Sequence, residues 1–295
     1  MPNKGTAYAD KAQAEIERRL RRIYSDAQKE LIEKLDAHTK RLNAMDKVKR
    51  QQLKDGKITK SQYNSWLHSQ MFTGQQWKNK VNSMSETMLH ANEQANAIVE
   101  GKRKAVFGQN ALYQAKQINK QLDMSISFDV YDSASVTRLL REQPELLPRK
   151  KLDKRSDKAW NRENIADAGT QGIIQGDSIP ELAKRIARKT AYNNESAMTR
   201  YARTAMTGAQ NAGRMEMLHE AQEQGIKVKK VWLATRDSRT RDAHLELDGK
   251  EADVDQPFHN SLGNIMYPGD PAADPANTWN CRCTLIYKVE KDNKK

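Results

Sequence analysis

The sequence has 295 residues, 37% of them hydrophobic and 30% charged, with a mean hydropathy of −0.93. That balance allows a modest core and long solvated helices, and no stretch approaches the ~20 apolar residues of a membrane span. The net charge of +13 points to an anionic partner: nucleic acid, a membrane surface or an acidic protein. The excess lies forward, with 39 basic against 27 acidic residues in 1–225 and 12 against 11 in 226–295. Cys281 and Cys283 are too few and too close for a secreted disulfide scaffold. The start carries no apolar signal segment, so a reducing, cytoplasm-like compartment is expected.

Between Pro2 and Pro144 there is no proline, and this stretch reads as helix. A first helix is predicted over 7–54, with Ile16, Leu20, Ile23, Ala27, Leu31 and Leu35 recurring at spacings of three and four on one stripe. Asp55 and Gly56 break it, and Thr59 or Ser61 caps a shorter helix carrying Tyr63, Trp66 and Leu67. Two more helices are expected, over 75–105 and 110–122. Their polar circumference suits a bundle, or an arm packed on another protein. Residues 125–131 alternate apolar and polar and predict a short strand, after which Asp132 or Ser133 caps a helix through Arg141.

Residues 143–158 combine two prolines with a run of charge and read as a linker. The predicted organisation is therefore a helical N-terminal part over 1–142, a linker over 143–158 and a C-terminal module over 159–295. In that module, helices are expected over 159–175, from Pro180 to near Thr190, and over 194–224. Gly176, Asp177 and Ser178 supply the stop and restart signals. The last helix places Met198, Tyr201, Ala205, Ala209 and Ala212 on one side, small enough for close packing, and Gly225 ends it. Strands are predicted over 228–234 and 284–289. Between them lies a long irregular loop holding four of the eight prolines, and such a loop calls for a functional or stapling reason. The fold class is α+β.

No phosphate-binding glycine loop, dinucleotide fingerprint, G-x-S-x-G elbow or H-E-x-x-H helix is present. The run Asp237, Arg239, Arg241, Asp242 admits two readings. With His244, Asp237 or Asp242 could perform the acid–base chemistry of a nuclease or transferase. Alternatively, the run is a turn held by Asp–Arg pairs, favoured because no nucleophile or cofactor site accompanies it. Cys281 and Cys283 are separated by one residue and do not readily form a disulfide with each other. A turn at Arg282 could aim both sulfurs at one zinc ion, with His244 as third ligand and His259 or Asp248 as fourth. The alternatives are two small buried residues packed against Trp232 and Trp279, with His244 bonding a backbone carbonyl, or an intermolecular disulfide. No other cofactor is indicated.

Taken whole, the C-terminal constellation is specific. Trp232, Asp237, Arg239, Arg241 and His244 precede an L-D-G turn at Asp248 and Gly249; Phe258, Pro268 and Gly269 follow, and Asn280, Cys281, Arg282 and Cys283 close the set. This order, with Arg203, Thr204 and Asn211 upstream, resembles the Mu F-type phage head morphogenesis family over roughly residues 160–290. The resemblance implies a structural minor head protein rather than an enzyme. Its implied place is the virion, at the portal vertex or inside the capsid, after assembly in the host cytoplasm. Its implied partners are the portal protein and other head proteins, with nonspecific contact to double-stranded DNA and none to membrane. Some members carry toxin enzymes beyond this module; a chain with only a Lys-rich tail after Cys283 is expected to lack one.

Overall fold

A computed structural model describes residues 4–122, 133–148 and 151–290. Its helices are α1 (Lys4–Lys54), α2 (Lys60–Phe72), α3 (Gly74–Leu122), α4 (Ser133–Glu142), α5 (Lys154–Gln175), α6 (Ile179–Glu223) and the single turns α7 (Asp242–Leu245) and α8 (Pro275–Thr278). Its strands are β1 (Val228–Leu233), β2 (Glu251–Asp253), β3 (Phe258–Asn260), β4 (Gly263–Ile265) and β5 (Thr284–Val289). Long helices followed by a small sheet module make the fold α+β. The strand expected over 125–131 and the cap before α4 lie outside the described residues.

The chain forms two compact units, each discontinuous in sequence. One comprises Arg18–Asn96 and Lys151–Met198; the other comprises Met1–Glu17, Ala97–Lys150 and Thr199–Lys295. One of the crossings, Lys150 to Lys151, falls inside the predicted linker. The others fall within α1, α3 and α6, where no proline or glycine cluster marks them.

The first unit is all helix. The α1 stripe is buried at Leu20, Ala27, Leu31 and Leu35, but Tyr24 takes the buried place expected for Ile23. A tyrosine fits there because its hydroxyl donates to Asn92 Oδ1 at 2.6 Å. Asn92 in turn donates to Asp157 Oδ1 and Asn194 Oδ1, and Asn194 donates to Asn161 Oδ1. This chain of buried amides explains why α6 runs unbroken through Thr190–Asn194, where two helices were expected. Asn194 satisfies both the Thr190 carbonyl and a neighbouring helix, so nothing ends the helix there. Thr59 forms the capping box of α2 with Gln62. Asp153 caps α5 through the amides of Arg155 and Ser156, which starts that helix at Lys154 rather than at 159.

In the second unit α3 is also continuous across 105–110, because Val106 and Phe107 are buried core residues and Asn110 donates to the Val106 carbonyl. The sheet order is β2-β1-β5, antiparallel throughout, with Lys230 opposite Ala252 on one side and Tyr287 on the other. Trp232, Leu285, Val254, Phe258 and Ile265 build its core with Met215 and Leu218 of α6. The segment expected to be irregular holds β2, the β3–β4 hairpin and α8. Three-residue strands are too short to show a period-two pattern, so the sequence hides them.

Candidate functional site

β1 brings Trp232 into the core and ends at a turn built from the charged run. Asp237 Oδ1 accepts from the Arg239 amide at 3.0 Å and from the Thr240 hydroxyl at 3.2 Å. Arg282 grips the same carboxylate with two nitrogens, one at 2.6 Å, and holds its carboxyl well below the usual carboxylate range. Arg239 stands 3.7 Å from Asp237, and Arg241 donates to the Trp279 carbonyl. Asp248 accepts from the Ala234 amide at 2.8 Å and from Arg236 at 2.6 Å. Gly249 follows at φ 78°, a left-handed turn that glycine adopts without strain, and its amide donates to the Trp232 carbonyl. Within the charged run Asp237 pairs with Arg239 and Arg282, whereas Arg241 bonds a backbone carbonyl.

His244, on α7, is buried with both ring nitrogens engaged. Its Nε2 lies 3.0 Å from the Asn277 carbonyl oxygen and 2.9 Å from Asn277 Oδ1. Its Nδ1 lies 3.6 Å from Cys281 Sγ and 3.6 Å from Cys283 Sγ. Neither Asp237 nor the exposed Asp242 reaches this ring, so the acid–base constellation considered from the sequence does not assemble around it. The two thiols differ electrically. Hydrogen bonding with Cys281, together with the Thr235 amide, outweighs burial and lowers Cys283. The hydrogen bond with Cys283, together with burial, pushes Cys281 up. His259 is exposed, with Nδ1 on Asn264 Oδ1, and Asp248 is committed to its turn; neither joins the cluster. Trp232 packs edge-on against His244 at 5.3 Å. Trp279 is half exposed, with Arg200 over its ring, so only Trp232 fills the place expected of both tryptophans.

α6 holds the closing N-C-R-C segment from behind. Asn280 sits at φ 56°, a conformation asparagine tolerates, and its amide donates to the Thr204 hydroxyl. The Thr207 hydroxyl donates to the Cys281 carbonyl, and Asn211 donates to the Pro268 carbonyl while accepting the Leu285 amide. Arg214, one turn on, is buried; it donates to Asn110 Oδ1, Thr284 Oγ1 and the Leu285 carbonyl, and burial lowers it to about 10. Gly208 meets Gly269 backbone to backbone: a Cβ on Gly208 would lie 2.7 Å from the Gly269 oxygen. Arg214 and Asn277 were not singled out from the sequence. The signal for Arg214 was its place three residues after Asn211, among glycines and alanines on a face that has to be buried.

Residues 163–286 match the family described as Phage Mu protein F like protein. Over that stretch the chain is similar to the phage Mu F-like head proteins. It is 27% identical over 283 residues to the "Minor head protein GP7" of Bacillus phage SPP1, covering 94% of this chain and 87% of that protein. It is also 38% identical over 147 residues, 48% of this chain, to the "NAD(+)--arginine ADP-ribosyltransferase EFV" of Enterococcus faecalis (strain ATCC 700802 / V583). The match spans 29% of the length of that second protein. No solved structure matches the chain.

Proposed function

We propose that this chain is a structural minor head protein of a tailed phage, acting in head assembly at the portal vertex or capsid interior. The observation that carries this reading is its nearly end-to-end similarity to a minor head protein, which takes in the helical front as well as the C-terminal module. Purified particles should contain the protein in fewer copies than the major capsid protein, and cross-linking should join it to the portal. Absence from mature heads, together with failure to co-purify with portal, overturns the reading. No described helix is long and apolar enough to cross a membrane.

Contact with packaged DNA is part of the same proposal. On α1, Arg18, Arg19, Arg21 and Arg22 are exposed around the buried Leu20 and form a compact cationic face. Such a face neutralises phosphates without reading bases, so affinity falls steeply with salt and ignores sequence. Replacing the four arginines with glutamine should flatten the log–log salt dependence by about 3–4 units. An unchanged slope assigns this face to a protein partner.

The enzyme reading draws on the transferase relative, whose shared segment is under a third of that protein. Incubation with labelled NAD and an arginine acceptor should give no transfer. Transfer that survives purification and disappears on substitution of Asp237 or Asp242 would reinstate it.

A further inference from the structure

We infer that His244, Cys281 and Cys283 hold one zinc ion, which ties the turn after β1 to the start of β5. This goes beyond the head-protein reading and does not depend on it. Nε2 faces the backbone carbonyl of Asn277 at 3.0 Å, an atom that only accepts, so Nε2 carries the proton. Nδ1 is then the nitrogen left to offer a lone pair to a metal, and it faces two sulfurs at the same distance, 3.6 Å. One lone pair accepts one good hydrogen bond; two equivalent sulfur neighbours are what a shared metal produces. Zn–S bonds of about 2.3 Å and a Zn–N bond of about 2.0 Å at the tetrahedral angle place sulfur and nitrogen about 3.5 Å apart. The three ligand atoms all lie within 4.8 Å of one another, which leaves room for an ion among them.

The surroundings fit the same assignment. Asn277 supports the ring from behind, as the outer partner of a ligating histidine does. The Cys283 amide donates to Cys281 and the Thr235 amide donates to Cys283, hydrogen bonds of the kind that support a metal-bound thiolate. Two thiolates balance a doubly charged ion, so a site only 1–2% exposed stays neutral overall. Binding releases to solvent whatever thiol protons the free site still holds and involves no change of oxidation state. Among the described residues no fourth His, Cys, Asp or Glu joins the group, so the fourth position belongs to water. Trp232, in ring contact with His244, has a buried Nε1 donor without a partner that suits such an oxygen. The ion would be the staple that the loop between β1 and β5 calls for, acting where loop residues meet the first residues of β5.

The test uses the full chain purified without a histidine tag. Elemental analysis after dialysis should find about one zinc per chain. Metal-stripped protein titrated with cobalt(II) should develop a near-ultraviolet thiolate-to-cobalt charge-transfer band that saturates at one equivalent, with the intensity of two sulfurs. Cys281→Ser and Cys283→Ser should each halve that band, or abolish it if the chain unfolds. Asn277→Ala, which removes no ligand, should weaken cobalt affinity about 10–100-fold. Less than a tenth of an equivalent of zinc in the wild-type protein with no cobalt band overturns the inference. So does a band of one-sulfur intensity in the wild type, a reading that does not depend on any variant folding.

Discussion

In the unit formed by Arg18–Asn96 and Lys151–Met198, order follows from repetition. Leu20, Leu31 and Leu35 of α1 are each fully buried, as are Leu67, Met84 and Ile165 on neighbouring helices. Any one of them makes the kind of contact that the others make. In the unit holding the sheet, order follows from single side chains. Asn211, Arg214, Asp248 and the Asp237–Arg282 pair each satisfy backbone or loop groups that lie far away in sequence or have no regular partner. A helix layer spreads its stability over many similar residues, whereas the module of short strands concentrates it in a few dissimilar ones. The difference predicts where substitution is costly. In the helix layer the cost follows buried volume; in the sheet module it follows the number of polar groups orphaned.

The sharpest break of that comparison is Arg214→Ala. It removes a buried guanidinium from Asn110, Thr284 and the Leu285 carbonyl at once, and should cost about 3–5 kcal/mol by denaturant unfolding. Leu31→Ala in the helix layer should cost about 2–5 kcal/mol through its cavity alone. The discriminating variants are the conservative ones. Arg214→Lys should recover little, because an ammonium cannot span those three acceptors in one plane. Leu31→Met should recover most, because volume is conserved. Equal recovery at both sites would dissolve the distinction.

Two glycines on the long helices sharpen it at smaller scale. A Cβ on Gly213 of α6 would lie 2.2 Å from the Phe107 backbone oxygen, whereas one on Gly101 of α3 meets nothing within 4 Å. Gly213→Ala should therefore lower stability by about 1–3 kcal/mol, while Gly101→Ala should raise it by about 0.5–1 kcal/mol. Thermal melts of the two variants should move in opposite directions. A shared direction would mean that helix propensity, not the approach of backbones, governs these positions.

The same contrast decides what the sequence revealed. The α1 stripe, the Asp55–Gly56 break, the Thr59 cap, the Gly176 stop and the strands at 228–233 and 284–289 were legible because local chemistry determines them. The uninterrupted runs of α3 and α6 were not, since their continuity depends on tertiary partners such as Asn161 for Asn194. Tyr24 displaced Ile23 for the same reason: its hydroxyl partner, Asn92, lies 68 residues away. His244, Cys281 and Cys283 were nominated from the sequence and do meet, but their suggested fourth companions, His259 and Asp248, do not. The order of motifs reveals which residues converge on a turn; it carries no information about which way a side chain leaves that turn. Arg214 was missed because a lone arginine on a helix usually marks its solvent face.

The smallest expected effect concerns α6 itself. Burial, with Glu220 and Glu223 nearby, raises the Glu216 carboxyl to about 7 from an ordinary value of 4.5. A carboxyl whose folded value is raised contributes stability that is whole below pH 4.5 and is lost as pH rises through about 7. Glu216→Gln cannot ionise, so its advantage over the wild type should be near zero at pH 4.5. It should grow across that window and level off above pH 7 at about 1 kcal/mol, a figure reduced for the solvent that reaches a third of the group. His219, lowered by burial, acts in the opposite sense: its contribution is present above 6.5 and lost as pH falls below it. Lys230, lowered to about 8 by burial, changes its contribution only between that value and 10.5. Neither contributes to the shift of Glu216, so subtracting the wild-type stability curve from that of the variant cancels both. A flat difference from pH 4.5 to 8 would mean that Glu216 is solvated like any surface glutamate. This face of α6 would then belong with the periodic, forgiving helices rather than with the point-held module that its opposite face supports.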